Sequence, residues 1–570
     1  MENLNQSTSH PRGLYVLFFT EMWERFGYYL MLGIFALYML DSTQNGGMGF
    51  SASKKSDIYG TYLGLVYLTP FIGGLLADRI LGYRKSIIIG ALLMAAGYIG
   101  LAMPGTTTFY ISLLLIIVGN GFFKPNISTL VGNLYNKPEN QHKKDAGYNI
   151  FYMGINIGAF VCNFVAAYMR INYGWGYAFA AAGVGMLIGL VWFMAGMKHV
   201  KDVDIIKPTT KEDIPLKKIL AVVFIPVIIC GILGWFIPGN IFGSDSNDAF
   251  LIGCVPVVAY YISLWYRATP EDKNPLAALL TVMGCVVVFW AIFHQNGDAL
   301  TVWAKDYTDR KIPTVVVGAA DKVDLVQTVN YHESINYNKE EFETYLTGLK
   351  NQKDSLSAAG NKSAADAVAK TIAIRDNSRE YFTNLPEDKR PAKGQDLKLI
   401  STELFQSINP FWVIVLTPLV VGIFGFLRRR GKEPSTPAKI AIGLLVTALS
   451  ALVMVAAVKS INTSADKASA IWLWASYGVI TIGELCLSPM GLSLVSKLSP
   501  PRLTSLMMGG WFLSTSIGNK LSGILSGLWE GYDDKSNFFL TNFFIVIVPA
   551  IALFLLLRWL NRVMKEKGVK

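Results

Sequence analysis

The chain carries little charge for its length. Of its 570 residues only 16% are charged, whereas 52% are hydrophobic, and the mean hydropathy is +0.38. A soluble globular protein usually has roughly 25% charged residues, so this composition excludes an ordinary soluble enzyme. It is typical of a polytopic membrane protein.

Cysteine is also scarce, and the five cysteines all lie in apolar runs. They predict neither a disulfide framework nor a paired-cysteine metal site. The pI near 9.1 arises from short basic clusters between apolar spans, where Lys and Arg act as topological charges, so we expect no binding of nucleic acid. No nucleophile–base pair or metal-ligand set is recognisable, and we therefore expect neither enzymatic activity nor a cofactor.

Apolar runs of roughly 20 residues, the length that a membrane-spanning helix needs, predict fourteen spans. Six form a first half, two more follow, and six form a second half. The predicted spans are 13–40, 57–78, 84–103, 107–131, 147–170, 175–197, 217–237, 247–266, 276–297, 404–427, 438–459, 469–496, 503–527 and 537–561.

One segment differs from this apolar body. Residues 298–402 contain 15 basic and 16 acidic residues, which leaves 36 basic and 24 acidic residues for the rest of the chain. Apolar residues at helical spacing between 338 and 385, interrupted at Gly360 and Asn361, predict a small helical hairpin. Because it shows no metal-ligand or nucleophile pattern, we interpret the insert as a solvated docking or stabilising appendage.

The short loops predict the orientation of the chain. Lys and Arg concentrate in alternate loops and in the C-terminal tail, and such loops face the cytoplasm. The basic positions are Arg79, Arg84, Lys85, Lys137, Lys143, Lys144, the stretch 198–218, Arg267, Lys273, Arg428, Arg429, Arg430, Lys432 and the tail 562–570. We therefore expect a multi-pass protein of the cell membrane, with both termini cytoplasmic and the insert outside.

Ionisable residues within a span need a partner or a water-filled cavity. Glu21, Glu24, Arg25, Tyr28 and Tyr29 fall on one face of the first predicted helix. Two acids sharing one arginine form a natural proton acceptor. The alternative is a buried ion pair that only holds helices together.

Two further charges lie near mid-membrane in opposite halves. Lys124 precedes Pro125 in the fourth span, and Glu484 lies in Gly483-Glu484-Leu485 of a later span. A salt bridge between Lys124 and Glu484 would form a gate that substrate or a proton opens, and the alternative is a permanent structural bridge. Lys520 is expected to extend towards the outer surface.

Four motifs in order along the chain resemble those of a known family. The loop Asp78–Lys85 resembles the signature loop of the major facilitator superfamily. The segment Glu21–Tyr29 resembles the ExxERFxYY motif of the proton-dependent oligopeptide transporters, and the segments 151–158 and 483–492 are similar to two further motifs of that family. The helix pair between the halves is similar to that of prokaryotic members.

The resemblance implies an all-α membrane protein with the major facilitator fold. It implies 12 core transmembrane helices in two six-helix bundles, with two additional helices between them. The corresponding divisions are an N-terminal bundle in 1–200, a linker with the two additional helices in 201–270, the first helix of the C-terminal bundle in 271–297, the extracytoplasmic insert in 298–402 and the remainder of that bundle in 403–570.

The resemblance also implies a proton-coupled symporter that imports di- and tripeptides by alternating access, in contact with membrane lipid and with H⁺ as its coupling ion. The alternatives are transport of another small zwitterion or modified peptide, and a receptor or scaffold that acts through the insert. The implied proton-coupling residues are Glu21, Glu24, Arg25 and Lys124. The implied substrate-binding residues are Arg25, Tyr28, Tyr29, Tyr67, Lys124, Asn156, Trp290, Phe293, His294, Asn409, Glu484, Ser488 and Trp511.

Two positions depart from the family pattern. Leu32 replaces a common arginine of the first helix, and His294 replaces a common acid of the seventh helix. Both members of an expected ion pair are therefore absent, which leaves Arg25 and Lys124 to hold a peptide carboxylate. His294 is either a charged group near that carboxylate or a neutral, hydrogen-bonded histidine of the cavity.

Overall fold

A computed structural model of the chain describes residues 10–136, 140, 144–205, 221, 224–312, 318, 325–383, 385–463, 465–500 and 503–567. Lys137, Lys143 and the basic stretch 206–218, which contribute to the predicted orientation, lie outside these residues, as does most of 217–223 at the start of the seventh predicted span. The described residues are predominantly α-helical, in agreement with the all-α prediction.

The first six helices pack into one bundle. They are α1 (Arg12–Leu40), α2 (Ala52–Leu76), α3 (Tyr83–Leu101), α4 (Thr106–Leu134), α5 (Lys144–Tyr173) and α6 (Trp175–Gly196). Their buried apolar side chains form a single continuous cluster, in which α1 packs on α5 and α6 while α3 packs on α4. This bundle is called the N-terminal bundle below.

The helices that follow build a second bundle and the insert. They are α7 (Ile225–Trp235), α8 (Asp245–Tyr266), α9 (Pro270–Phe293), α10 (Ala299–Asp306), α11 (Lys339–Ala358), α12 (Lys362–Phe382), α13 (Ile408–Arg429), α14 (Thr436–Lys459), α15 (Ile471–Leu498), α16 (Thr504–Gly527) and α17 (Lys535–Glu566). A second apolar cluster joins α9 and α14–α17 with α8, and α7 packs on α8. The C-terminal bundle is α9 with α13–α17.

Length and composition support a membrane location. Within the described residues, eleven helices are long and apolar enough to cross a membrane, and α7 is a shorter apolar helix. Large apolar side chains on the outward faces of these helices are exposed, among them Val191, Leu233 and Leu555. Hydrocarbon, rather than water, is the solvent that such faces need.

The insert is attached to the C-terminal bundle through strands. The strand β1 (Thr308–Asp309) pairs in parallel with β4 (Ala468–Ser469), in the loop between α14 and α15. Within the insert, β2 (Val326–Asn330) pairs antiparallel with β3 (Asp396–Ile400). The helices α11 and α12 form a hairpin whose turn contains Gly360 and Asn361, where the sequence predicts the break.

Both ends of the described part of the chain lie opposite the insert. His10 hydrogen bonds to Tyr135 at the far end of α4 (2.7 Å). Lys567 pairs with Asp272 at the start of α9 (3.3 Å), and α9 runs from there towards the insert. We call the membrane face that carries residues 298–402 the insert side, and the other face the terminal side.

The loop between α2 and α3 lies on the terminal side. A short π-helical turn over Ala77–Leu81 ends at Gly82, whose φ of 77° is in the left-handed region that favours glycine. The Tyr83 hydroxyl donates to Asp78 (2.6 Å), and Arg84 pairs with Asp204 beyond α6 (2.6 Å). These polar contacts hold α2, α3 and the end of the N-terminal bundle together.

Glycines permit close approach between helices within the N-terminal bundle. A Cβ atom on Gly73 of α2 would lie 2.0 Å from the carbonyl oxygen of Gly121 in α4. No side chain fits between these two backbones. The small residues before the α2–α3 loop therefore serve helix packing.

We expect Gly73→Ala to destabilise the protein by about 1–3 kcal/mol, because the added methyl group forces α2 away from α4. Unfolding in mixed micelles, followed by circular dichroism, measures the effect. Gly284→Ala in α9 is the matched control, since a Cβ there meets nothing within 4 Å. Equal stability of the two variants would contradict the packing argument.

Candidate functional site

The polar face of α1 holds two acids and one arginine. The Arg25 Nη2 donates to Glu24 Oε1 (2.6 Å), its Nε donates to the other Glu24 oxygen, and the same Nε lies 3.4 Å from Glu21 Oε1. Glu21, Glu24 and Arg25 are 3%, 0% and 2% exposed. Within the described part of the chain, Glu21 Oε2 has no hydrogen-bond partner. The group therefore contains one carboxylate that is fully engaged and one that is only partly engaged.

Two tyrosines extend this face by one turn. The Arg25 Cζ lies 4.7 Å from the ring centroid of Tyr28 and 6.0 Å from that of Tyr29. Arginine is attracted to the face of an aromatic ring at such distances. The paired tyrosines thus help to hold the guanidinium in place.

Lys124 of α4 lies near this group. Its Nζ is 4.0 Å from the ring centroid of Tyr67 in α2, and Lys124 is within electrostatic range of Glu21. Among the described residues Lys124 forms no ion pair with Glu484. The salt bridge predicted between the two halves is therefore not formed in this conformation.

Glu484 projects from the middle of α15, and Asn409 orients it. The Asn409 amide donates to Glu484 Oε2 (3.2 Å) and to Thr481 Oγ1 (2.9 Å). Asn409 is placed at the start of α13 by the short 3-10 helix Thr402–Ser407. Glu484 and Arg25 are both in electrostatic contact with Tyr29, which links the two bundles across the site.

An aromatic group on α9 adjoins Lys124 and Tyr67. The His294 ring centroid lies 6.0 Å from that of Tyr67, 5.3 Å from Trp290 and 5.4 Å from Phe293. The buried atoms Trp290 Nε1, His294 Nδ1 and, on α15, Ser488 Oγ have no hydrogen-bond partner in the described structure. A ligand with polar ends can satisfy such atoms.

Accessible space lies beside these groups. Tyr152 of α5 is 52% exposed although it is within electrostatic range of the buried Glu21. One turn further, Asn156 donates to the carbonyl oxygen of Tyr152 (3.0 Å) and does not contact Glu484. The structure thus brings Asn409, but not Asn156, to the α15 acid.

Trp511 and Leu32 both pack into the cores of their bundles. Trp511 of α16 is only 3% exposed and packs on Gly491, where an added Cβ would lie 1.7 Å from the indole. It therefore fills the C-terminal core in this conformation instead of lining open space. Leu32, which replaces the common arginine, packs against the core of the N-terminal bundle.

Three ion pairs, each with at least one fully buried member, join the two bundles on the insert side. Lys55 of α2 pairs with Asp298, Asp57 of α2 pairs with Lys520 of α16 (2.8 Å), and Arg170 of α5 pairs with Glu403 (2.6 Å). The expectation for Lys520 is wrong: its side chain is 0% exposed because Asp57, Thr61 and Ser246 hold it.

Sequence reasoning missed these pairs because most of their members lie at the edge of a predicted span or segment, and only Lys520 lies well inside one. Besides Lys520, the available signal was Lys54 and Lys55, two basic residues in an otherwise base-poor set of loops. Neutral contacts reinforce the closure: Ser56 donates to Asp298 (3.3 Å), and Asn163 donates to Ser407 (3.1 Å). The bundles therefore meet tightly on the insert side.

Comparison with known proteins agrees with this architecture. The sequence profile of the POT family matches residues 84–321 and 396–539. The transporter YclF of Bacillus subtilis is 30% identical over 96% of this chain and 94% of its own. A di-/tripeptide transporter of Lactococcus lactis is 28% identical over 97% of each chain.

Solved structures show the same fold. A POT family transporter crystallised with a thioalcohol-conjugated peptide superposes with a TM-score of 0.74 at 25% identity, covering 97% of each chain. The two bundles and the charged groups between them define a multi-pass membrane transporter of the major facilitator type. The chain belongs to the POT family.

The ion pairs on the insert side are expected to contribute to the free energy of unfolding. Lys55→Met leaves Asp298 buried without its partner, and breaking a buried pair in this way costs about 3–5 kcal/mol. The double variant Lys55→Met with Asp298→Asn should recover much of that loss. A double-mutant cycle of unfolding free energies measures the coupling, and Lys54→Met, at the exposed neighbour, should have little effect. Additive losses would contradict a coupled pair.

Proposed function

We propose that this protein is a proton-coupled symporter that imports di- and tripeptides by alternating access. The observation that carries the proposal is the opposition of unbalanced charges across one site. The α1 group has two carboxylates for one guanidinium, Lys124 adds a cation without an ion-pair partner among the described residues, and Glu484 is a carboxylate held only by neutral groups.

This arrangement suits a zwitterion of short length. Glu484 provides the negative charge for a peptide ammonium, and Lys124 with Arg25 provides the positive charge for the peptide carboxylate. The rings of Tyr28, Tyr29 and those on α9 offer faces to side chains without demanding one shape. The names of the peptide-transporting relatives support this substrate class.

Proton coupling is assigned to the α1 acids. Glu21 accepts the transported proton, because Glu24 is fully engaged by Arg25 whereas Glu21 Oε2 is free of partners in the described residues. Protonation of Glu21 releases part of the hold on Arg25, which then turns to the peptide carboxylate. The coupling ion is H⁺, and no cofactor takes part.

The ion pairs on the insert side support alternating access. We take both termini to be cytoplasmic, which makes the insert side extracytoplasmic, and we assign this conformation to the state closed to the outside. Opening outward requires Lys55, Asp57 and Arg170 to leave their partners. Transport of another small zwitterion uses the same groups, and a panel of peptides and single amino acids in counterflow assays distinguishes the two substrates.

Glu484→Gln should weaken dipeptide binding about 10- to 100-fold, since a hydrogen bond to a charged group contributes about 1.5–3 kcal/mol. The amide still accepts from Asn409, so the fold should be kept. Calorimetric titration of alanylalanine into purified protein measures the loss. Glu566→Gln, at an exposed acid near the end of α17, is the control. Affinity within twofold of the unchanged protein would remove Glu484 from the substrate site.

Glu21→Gln should uncouple transport from the proton gradient. In proteoliposomes we expect exchange of labelled for unlabelled dipeptide to persist while gradient-driven accumulation falls at least about tenfold, because a permanently neutral side chain carries no proton. Glu24→Gln should also reduce exchange, because it frees Arg25. If Glu21→Gln accumulates dipeptide normally, the proton site lies elsewhere.

A further inference from the structure

The insert touches both bundles, and its contacts with the two differ in kind. It is attached to the C-terminal bundle by backbone pairing of β1 with β4, where the Ala468 amide donates to the Tyr307 carbonyl (2.7 Å). Lys467 adds a bond to the Asp306 carbonyl (2.6 Å), and Lys389 pairs with Asp466 (3.1 Å). This end of the insert moves with the C-terminal bundle.

Side chains make the contacts with the N-terminal bundle. Asp298 and Ser401, at the two ends of the insert, bond to α2 and α5, and the helical hairpin α11–α12 contacts a short segment after α1. Asn45, in the turn after α1, donates to Asp376 of α12, and the same amide donates to Asp41 (3.0 Å). Lys350 of α11 donates to the carbonyl oxygen of Gln44 (2.8 Å). Asp41 in turn accepts from Trp175 of α6 (2.6 Å), so this segment is fixed within its own bundle.

We propose that residues 298–402 act as a pH-sensitive strap, which is anchored on the C-terminal bundle and grips Asp41–Asn45 of the N-terminal bundle to hold the insert side closed. The proposal rests on the proposed function in one respect, namely that the bundles separate on the insert side during transport. Because the anchor is backbone pairing and the grip is a few side-chain bonds, separation breaks the grip first.

The grip brings three carboxylates close together. Asp376 faces Asp41 from the N-terminal bundle and Glu380 on its own helix. Lys305 of α10 opposes them, since it pairs with Glu380 (2.7 Å), and Lys350 and Arg379 are two further cations within electrostatic range of Asp376. Three carboxylates thus meet where the strap contacts the turn, and loss of one negative charge relieves their repulsion.

Asp376 is the group that loses its charge. Burial, followed by repulsion from Glu380 and Asp41, raises the pKa of Asp376 to about 7. When the strap is released, Asp376 is exposed to water and its pKa returns to the ordinary aspartate value of about 4. The gripped state then binds the extra proton, so the grip strengthens as the pH falls from about 7 towards 4 and weakens above about 7. The strap therefore opposes outward opening most strongly when the outside is acidic.

The distance between the strap and the N-terminal bundle tests this directly. Dyes attached through non-canonical amino acids at Thr106, at the exposed start of α4, and Ser363, in the exposed first turn of α12, report it by single-molecule energy transfer. In peptide-free nanodiscs, we expect the ratio of released to gripped molecules to rise about 20-fold from pH 5.5 to pH 7.5, as one proton bound with these pKa values requires.

Two variants and a control make the result decisive. Asp376→Asn should stay gripped at both pH values, because its amide is never charged. Asn45→Ala should increase the released population at both. Lys370→Ala, on an exposed part of α12, should match the unchanged protein. A pH dependence that persists in Asp376→Asn, or an unchanged distance distribution in Asn45→Ala, would overturn the strap.

Counterflow of a dipeptide in the same preparation separates this proposal from the proposed function. A pH-dependent distance without peptide counterflow would retain the strap and reject the substrate. Normal counterflow with a distance that ignores pH would retain the transporter and reject the strap.

Discussion

The cost of placing a charge in hydrocarbon determines how this protein is assembled. Each ionisable side chain at the centre of a bilayer costs at least roughly 2.5–3.5 kcal/mol unless a partner or water compensates it. The described residues treat their charged side chains in two different ways. On the insert side, Lys55, Asp57 and Arg170 each have one partner of opposite sign on the other bundle. At the central site the charges are left out of balance.

That contrast separates closure from binding. In a pair of one cation and one acid, each charge is already compensated and needs no ligand. Such a pair can only hold the two bundles together or let them separate. The central group is incomplete, because Glu21 shares Arg25 with Glu24 while Glu484 has only Asn409 and no cation among the described residues. Under the proposed function, a zwitterion completes both ends at once, and this completion links occupancy of the site to movement of the bundles.

The sequence predicts the helices and the clustering of two acids with Arg25 on α1 for a physical reason. Long apolar runs have only one stable form in a membrane, and helical spacing places Glu21, Glu24 and Arg25 on one face whatever the tertiary fold. Contacts between segments distant in sequence are not encoded in this way. The partners of Lys520 and Lys55, the pairing of β1 with β4 and the burial of Trp511 each depend on how two bundles meet.

One backbone contact between the bundles has a mechanical consequence. Gly60 of α2 and Gly523 of α16 approach so closely that a Cβ on Gly60 would lie 2.8 Å from the Cα of Gly523. Side chains that interlock at a helix crossing resist rotation, because each must climb over its neighbour. Because neither glycine has a side chain, the two helices can rotate about this crossing point, and one bundle can tilt without losing contact with the other. A small displacement at this crossing becomes a larger one at the distant ends of the helices, as on a lever.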